Sequence, residues 1–207
     1  MPAPWNGWLH CMGSTYGAWL YGDARGFRTR HHRQHVDGDY CNPPPSGTYD
    51  SLARRSAASM RFPPVILTPE HRLTVCRAMG DKLLDYGVEL IELSVGGQHF
   101  HALCRFPRSL PPQPGGTARR ICRNLLADGR DPIPRHILGR AKRAASVALA
   151  QLNAKPTGRP LWAKRTKIEP IKCRAHQLAT VRYIRRHASQ HAALWSAIHV
   201  DSQPVSP

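Results

Sequence analysis

Two histidines, His99 and His101, stand one residue apart in the stretch GGQHFHALCRF, which runs from Gly96 to Phe106. Side chains alternate along a β-strand, so in a strand these two imidazoles point to the same face. Imidazole nitrogens are common metal ligands, and a His-x-His pair on one strand can bring two of them to a single ion. The pattern therefore predicts part of a metal site. The alternative is that both histidines are polar residues on a solvated sheet face.

The second group of chemically active side chains lies near the C-terminus, where a helix is predicted from about Arg174 to Ala193. At 100° per residue, the residues predicted to be buried are Leu178, Val181, Ala188 and Ala192, with Ile184 at the margin. The residues predicted on roughly the opposite side are His176, Thr180, Tyr183 and His187, flanked by Arg182 and Arg186. A tyrosine kept off the buried side, one turn before a histidine, is a candidate nucleophile. The alternative is an ordinary half-exposed tyrosine on a basic helix.

Together these residue types suit attack on a phosphodiester. A phenol has a pKa of about 10 and is a weak nucleophile at neutral pH, so the phosphate must be polarised and held in line. A divalent ion held by neutral imidazoles leaves coordination positions for a phosphate oxygen. Arginines can neutralise and position a nucleic-acid backbone. Two strand histidines, a helix tyrosine and basic neighbours are therefore the parts that this reaction requires.

The charge of the chain predicts a polyanionic partner. Its 207 residues include 30 Lys and Arg against 13 Asp and Glu, a formal net charge of +17, which is typical of proteins that bind nucleic acid. From charge and position alone, the candidate DNA-binding residues are Arg25, Arg28, Arg30, Lys164, Arg165 and Lys167. A basic DNA- or RNA-binding protein without catalysis would have the same composition. Only the joint presence of His99, His101 and Tyr183 speaks against that alternative.

Composition also excludes some classes of protein. No apolar run approaches the roughly 20 residues of a membrane span, so no membrane partner is expected. The six cysteines form no Cys-x-x-Cys pair, which argues against a zinc ribbon. Cys76 and Cys104 fall on predicted apolar faces, and reduced thiols are typical of a cytoplasmic protein. The expected location is the bacterial cytoplasm, in association with the nucleoid.

The elements that must position these residues alternate between strand and helix, so the predicted fold class is α+β. A first strand is predicted over Leu9 to Leu20, and a β-hairpin over 88–106 with its turn at Gly96-Gly97. A helix is predicted between Thr68, its N-cap, and Gly87, with its buried side formed by Leu73, Cys76, Met79 and Leu83. The other predicted elements are a short helix within 48–62, helices at about 117–128 and 135–152, and a basic strand over Leu161 to Ile171. The prediction is one domain over 1–207, with long insertions at 21–67 and 107–116 and a short flexible C-terminal tail.

At these residues the chain resembles a known family. The triplet His99-Phe100-His101 matches the His-hydrophobe-His signature of HUH nucleases. The stretch VRYIRRH, from Val181 to His187, resembles the nucleophile helix of single-tyrosine HUH transposases of the insertion-sequence 200/605 type. The stretch STYGAWLYGDARG, from Ser14 to Gly26, resembles the Trp-Leu-x-Gly-Asp-x-x-Gly loop of the branch associated with repetitive extragenic palindromes (REP). The alternative is a related HUH enzyme, such as a replication initiator or a relaxase. A relaxase usually has a third histidine near the triplet and its tyrosine near the N-terminus, whereas here the tyrosine follows the triplet.

The resemblance implies a site and a reaction. His99 and His101 would bind Mg²⁺ or Mn²⁺, and His187 would be a further ligand in place of the family's Gln or Asn. Tyr183 would attack single-stranded DNA, giving a 5′-phosphotyrosine link and a free 3′-OH, either in DNA transposition or, in a domesticated copy, at chromosomal repeats. The family also implies a ferredoxin-like central antiparallel sheet with helices on its faces. Its members act on hairpin-containing DNA as homodimers, in which the tyrosine helix can serve the partner's metal site.

Overall fold

The computed structural model describes residues 4–23, 27, 45, 47–110, 132–152 and 158–197. At its centre is a five-stranded antiparallel sheet with the strand order β4-β1-β3-β2-β5. The strands are β1 (Trp8–Thr15), β2 (Glu89–Val95), β3 (His99–Arg105), β4 (Trp162–Pro170) and β5 (Ala193–Ser196). The helices are α1 (Asp50–Ala58), α2 (Pro69–Asp85), α3 (Ile133–Gln151) and α4 (Arg174–Arg186). The predicted α+β class with a central antiparallel sheet is confirmed.

Four of the strands follow the β-α-β-β-α-β connectivity of ferredoxin-like folds, in which α2 and α3 are the crossover helices. The short helix predicted within 48–62 is α1, the helix predicted at 135–152 is α3, and the predicted basic strand is β4. The helix predicted at about 117–128 lies outside the described residues, as does most of the predicted insertion at 107–116. The connectivity places β1 and β3 in the middle of the sheet, where their side chains have neighbours on both sides.

The predicted hairpin is confirmed. Strands β2 and β3 pair from Glu89 opposite Arg105 to Val95 opposite Phe100, and the N–H of Gly96 donates to the carbonyl of His99 at 2.8 Å. The other side of β3 pairs with β1, from Trp8 opposite Arg105 to Ser14 opposite His99. Strand β1 ends at Thr15, earlier than predicted, because the chain turns at Gly17 with a φ of +73°.

Helix α2 begins and ends where the sequence predicts. The hydroxyl of Thr68 accepts from the N–H of His71 at 3.3 Å, Pro69 is the first helical residue, and Gly87 follows the helix with a φ of +69°, a conformation that favours glycine. Three of the four residues predicted to be buried are buried: Cys76, Met79 and Leu83. Leu73 is 44% exposed, so that prediction is wrong. The buried side of the helix includes Val75 instead.

The main core lies between one face of the sheet and the helices α2 and α3. The ring of Phe100 packs edge-on against Trp162, with 5.5 Å between ring centroids. It also fills the space above Gly13, where a Cβ atom would lie 2.3 Å from Phe100 Cε1. Cys76 and Cys104 are buried in this core, as predicted, and neither forms a disulfide. Burial raises the pKa of the Cys76 thiol to about 12, which keeps it protonated and unreactive.

The opposite face of the sheet is covered by α4. Its central contact is a small apolar cluster of Leu103 on β3, Ile171 after β4, and Ile184 on α4, all fully buried. Trp5, Trp8, Ile91 and Val181 pack around the cluster. Because His99 and His101 alternate with the residues of the main core, they lie on this second, covered face. The alternative of a solvated sheet face is therefore wrong.

The C-terminal helix differs from its prediction in length and in buried residues. It ends at Arg186, a 3₁₀ turn follows over His187–Gln190, and His191 adopts a left-handed conformation with φ of +59°. The chain then reverses into β5, which the sequence does not predict. The residues of α4 that are buried are Gln177, Thr180 and Ile184, whereas Leu178 is 43% exposed and Ala188 is exposed. The predicted stripe is confirmed at Ile184 and Val181, which pack against the sheet, and is wrong at Leu178 and Ala188, because the sheet face beneath α4 is partly polar.

Among the described residues, no helix combines the length and the apolar character that crossing a membrane requires.

Candidate metal and nucleophile site

Strand β3 brings the two predicted histidines together. His101 lies opposite Met12 of β1 and Ser94 of β2, so it occupies the middle of the sheet, and it is buried. His99 lies nearer the hairpin turn and is half-buried. The centroids of the two rings are 5.1 Å apart. The alternation of side chains along one strand is therefore sufficient to place two imidazoles side by side.

The third histidine, His187, comes directly after helix α4. Ile184 anchors the helix against Leu103, and His187 follows less than one turn later, at the point where the helix becomes a 3₁₀ turn. The His187 ring stacks on His101 at 4.8 Å between centroids and lies 5.1 Å from the ring of His99. The candidate ligand atoms of the three histidines all lie within 4.8 Å of one another. This cluster of His99, His101 and His187 could hold a metal ion.

The hydrogen bonds of His187 fit that role. Its Nδ1 lies 3.2 Å from Oε1 of Gln190. An amide oxygen only accepts, so Nδ1 carries the proton and Nε2 carries the lone pair. That Nε2 is buried and has no hydrogen-bond partner among the described residues. A buried lone pair without a donor is unfavourable in itself, and a cation is the kind of group that would satisfy it.

A fourth histidine, His10 on β1, completes the buried side of the cluster and was not among the predicted residues. Its Nε2 lies 3.1 Å from Nδ1 of His101. Burial lowers the pKa of His101 to about 2, helped by the neighbouring His10, His99 and His187. Burial likewise lowers the pKa of His10 to about 4, although the Glu169 carboxylate opposes the shift. Both rings are therefore neutral at pH 7, and they share one proton in this contact.

The contact with His10 determines which ring nitrogen of His101 can bind a metal ion. With Nδ1 of His101 bonded to His10, the remaining nitrogen is Nε2. Metal-bound histidines commonly donate their second N–H to an acceptor, which fixes the tautomer and the orientation of the ring. His10 Nε2 is in position to be that acceptor.

The candidate nucleophile, Tyr183, lies at the edge of the histidine cluster. Its ring is 5.1 Å from the ring of His101 and 5.0 Å from that of His187, edge-on to both. The ring is also 6.0 Å from that of His10. The side chain is 44% exposed, so a large substrate can reach it. These are histidines of its own chain, so a single chain contains both the tyrosine and the cluster.

The other predicted DNA-binding residues are divided between surfaces. Residues directly opposite each other on paired strands share a face, and Lys167 is opposite Met12, which is opposite His101. Lys167 and, two residues away, Arg165 therefore lie on the face of the histidines, and Lys164 lies on the other. Lys167 forms an exposed ion pair with Glu169, at 2.6 Å. Arg182 and Arg186 are exposed on α4, and Arg25, Arg28 and Arg30 lie outside the described residues.

A buried carboxylate fixes the end of α4 that carries the site. Glu92 on β2 is fully buried, and its Oε1 accepts from Nε of Arg185 at 2.7 Å and from the hydroxyl of Ser196 at 2.8 Å. Its other oxygen, Oε2, has no hydrogen-bond partner among the described residues. The contact joins α4, β2 and β5. It holds the last turn of α4, and with it Tyr183 and His187, against the sheet.

Removing Arg185 is expected to destabilise the fold more than removing its neighbour Arg186. In Arg185→Ala, Glu92 keeps only Ser196 as a donor, and a buried acceptor that loses its partner costs about 1–3 kcal/mol. Because Arg185 is 44% exposed and its charge is screened by solvent, we expect the free energy of unfolding to fall by about 2 kcal/mol. Urea unfolding measures the change. Arg186→Ala, the exposed control, should stay within about 0.5 kcal/mol of the wild type, and equal losses in both variants would contradict the prediction.

Comparison with solved structures finds distant similarity. No family model matches the chain, and no curated protein matches it. Among solved structures, a REP-associated tyrosine transposase bound to a REP hairpin is similar over 89% of this chain and 68% of that chain, with a TM-score of 0.39 and 11% sequence identity.

Proposed function

We propose that the chain is a metal-dependent single-stranded DNA transesterase, of the single-tyrosine HUH transposase kind, which cleaves and rejoins DNA through a phosphotyrosine link. One observation carries the proposal: the ring of Tyr183 lies about 5 Å from two of the three histidines that could hold a metal ion. The net charge of +17 supports a nucleic acid as the substrate. The sequence resemblance supports single-stranded DNA.

The histidine cluster is proposed as the metal site. A divalent ion, Mg²⁺ or Mn²⁺ by the resemblance, would supply Lewis-acid polarisation of a phosphate oxygen when bound there. His101 and His187 would each offer Nε2, since the Nδ1 atom of each is engaged, with His10 and Gln190 respectively. The lowered pKa of His101 keeps its lone pair available at neutral pH.

Tyr183 would then be the group that changes covalent partners. Its hydroxyl oxygen attacks the phosphorus of a DNA phosphodiester, a new P–O bond forms, and the bond from phosphorus to the 3′-oxygen breaks. The phenol loses its proton to solvent, and the departing 3′-oxygen gains one, so the products are a 5′-phosphotyrosine and a 3′-OH. Attack by a 3′-OH on the phosphotyrosine reverses each change. One phosphodiester replaces another in both directions, so rejoining needs no external energy source.

The proposal is tested by looking for the covalent product. Single-stranded DNA that contains a hairpin, labelled at the 3′ end, is incubated with the protein and Mn²⁺ and run on a denaturing gel. We expect a labelled band of reduced mobility that disappears after protease digestion. Labelled DNA that is retarded in a native gel but migrates as free DNA in the denaturing gel would show binding without a covalent link. That result would indicate the alternative, a basic nucleic-acid-binding protein without catalysis.

Replacing His10 is expected to weaken metal binding although His10 is not itself in the cluster of three. In His10→Ala, Nδ1 of His101 loses its partner, and loss of such an orienting contact typically costs about 10–100-fold in metal affinity. Calorimetric titration with Mn²⁺ or Co²⁺ measures the affinity. His10→Asn, whose side-chain oxygen can accept the same proton, should recover part of the loss. Equal affinities in the wild type and His10→Ala would contradict the assignment.

A further inference from the structure

An open groove lies beside the edge strand β4, on the sheet face that carries the histidines. It has a volume of about 750 Å³. The turn that follows β1, helix α1 and strand β4 form its walls. Its aromatic and basic lining residues are Tyr16, Trp19, Tyr21, Phe27, Arg165 and Lys167.

The aromatic side chains of the groove are unusually open to solvent. Trp19 is 49% exposed and Tyr21 is 47% exposed, although each could bury a large apolar area. Tyr21 packs edge-on against Phe27, whose ring in turn lies 5.0 Å from that of Tyr49. Neighbouring exposed rings on a soluble protein indicate a surface that binds something flat and partly apolar.

The turn that carries these rings packs closely against its neighbours at two glycines with positive φ. At Gly17 (φ +73°) a Cβ atom would lie 2.5 Å from Met60 Cε and 2.9 Å from Pro64 Cα. At Gly22 (φ +87°) it would lie 2.3 Å from the backbone nitrogen of Ala53 on α1. Only glycine allows these close approaches, which press the turn against α1. A groove that is already formed loses little entropy when a ligand binds.

The basic side chains of the groove lie on the same sheet face as the histidine cluster, two strands away from it. Arg165 and Lys167 are exposed on β4, and Lys167, Met12 and His101 lie side by side across three adjacent strands. Adjacent strands are about 4.8 Å apart, so β4 lies about 10 Å from β3. That is about the length of three stacked nucleotides at 3.4 Å each. Although Glu169 pairs with Lys167, the described residues that line the groove include no acidic side chain.

We propose that the groove binds unpaired bases of single-stranded DNA next to the phosphate that Tyr183 attacks, with Trp19 and Tyr21 as stacking platforms. Arg165 and Lys167 contact the phosphates that link these bases. Exposed aromatic faces beside cations are how single strands are bound without reading their sequence, and bases within a duplex are not available to them. The inference rests on the proposed function for the nature of the strand and deepens it by naming what the strand contacts.

The test compares the affinity of Trp19 variants for DNA with and without bases. The probes are a fluorescent thymidine oligonucleotide, the same backbone with abasic residues, and a duplex of equal length, each measured by fluorescence anisotropy. Trp19→Ala should weaken binding of the thymidine oligonucleotide by about tenfold, because the stacking contact with one base is lost. Binding of the abasic strand and of the duplex should not change. Trp19→Phe, which keeps a ring, should retain most of the affinity, and Tyr21→Ala should behave as Trp19→Ala does.

A second measurement and a matched control complete the experiment. The thymidine oligonucleotide should quench the intrinsic tryptophan fluorescence of the wild type, and Trp19→Phe should remove most of the quenching although four tryptophans remain. Val147→Ala is the control, because Val147 is also 49% exposed but belongs to α3, on the opposite face of the sheet.

The outcomes separate this inference from the proposed function. Unchanged affinity in Trp19→Ala and Tyr21→Ala, in a protein that still forms the covalent adduct, overturns the groove assignment alone. Equal losses for thymidine and abasic strands also overturn it, since the contact would then be to the backbone. Base-dependent losses in a protein that forms no adduct support the groove and overturn the transesterase.

Discussion

Tyr183→Phe is expected to abolish the covalent DNA adduct completely while leaving the fold and DNA binding almost unchanged. The substitution removes one oxygen and keeps the ring, so the edge-on contacts with His101 and His187 can persist. Tyr183 is 44% exposed, so the lost hydroxyl is not part of the core. The measurements are the denaturing gel for the adduct and fluorescence anisotropy for binding, with the urea midpoint as a check on folding.

Tyr49→Phe is the matched control for this experiment, because Tyr49 is also partly exposed but belongs to the segment before α1. It should form as much adduct as the wild type. Digestion of the trapped adduct and mapping of the linked peptide give the sharper measurement. A link to Tyr16, Tyr21, Tyr49 or any tyrosine other than Tyr183 would show that the active-site assignment is wrong.

The parts of the fold that the sequence predicts are those governed by local rules. The alternation from His99 to Phe106 places Phe100, Ala102 and Cys104 in the core, where all three are fully buried. The N-cap at Thr68 and the glycine stop at Gly87 bracket α2. Such signals depend on residues within a few positions of each other, so they can be read without knowing what the element packs against.

Helix α4 shows where that approach stops being sufficient. A predicted buried stripe assumes that the surface beneath the helix is apolar. The surface beneath α4 instead carries His10, Glu92 and His101, all buried, so Gln177 and Thr180 face inward and Leu178 does not. The sequence predicts His176, Thr180, Tyr183 and His187 on the side away from the sheet, but the surface beneath the helix decides which residues are buried, and Thr180 is one of them.

His10 was missed for a related reason. It touches His101 across 91 residues of sequence, and only the register of β1 against β3 brings the two together. A signal did exist, because a histidine in a predicted strand beside another histidine-bearing strand is a candidate neighbour. The residues by themselves, however, do not give the register of β1 against β3, and that register decides whether His10 reaches His101.

Loss of the cluster histidines is expected to remove both metal binding and cleavage. His99→Ala is the first variant to examine, since His99 is only half-buried and its loss should leave the fold intact. We expect no adduct and no heat of Mn²⁺ binding in calorimetry, with DNA affinity almost unchanged, because His99 would hold the ion and not the backbone. A chelator should have the same effect on the wild type. His187→Ala should weaken metal binding less, since the strand pair His99 and His101 remains.

The donor set also predicts which metals bind best. Among the described residues the cluster consists of three imidazoles and no carboxylate. Such a donor set favours Co²⁺ or Zn²⁺ over Mn²⁺, and Mn²⁺ over Mg²⁺, because nitrogen donors suit the later transition metals and Mg²⁺ prefers oxygen. Calorimetric titration of the wild type should give affinities in that order. His187→Gln replaces one nitrogen donor with an amide oxygen, so it should narrow the difference between Co²⁺ and Mg²⁺. Full cleavage in excess chelator, or metal binding that survives the loss of both His99 and His101, would show that the cluster is not a metal site.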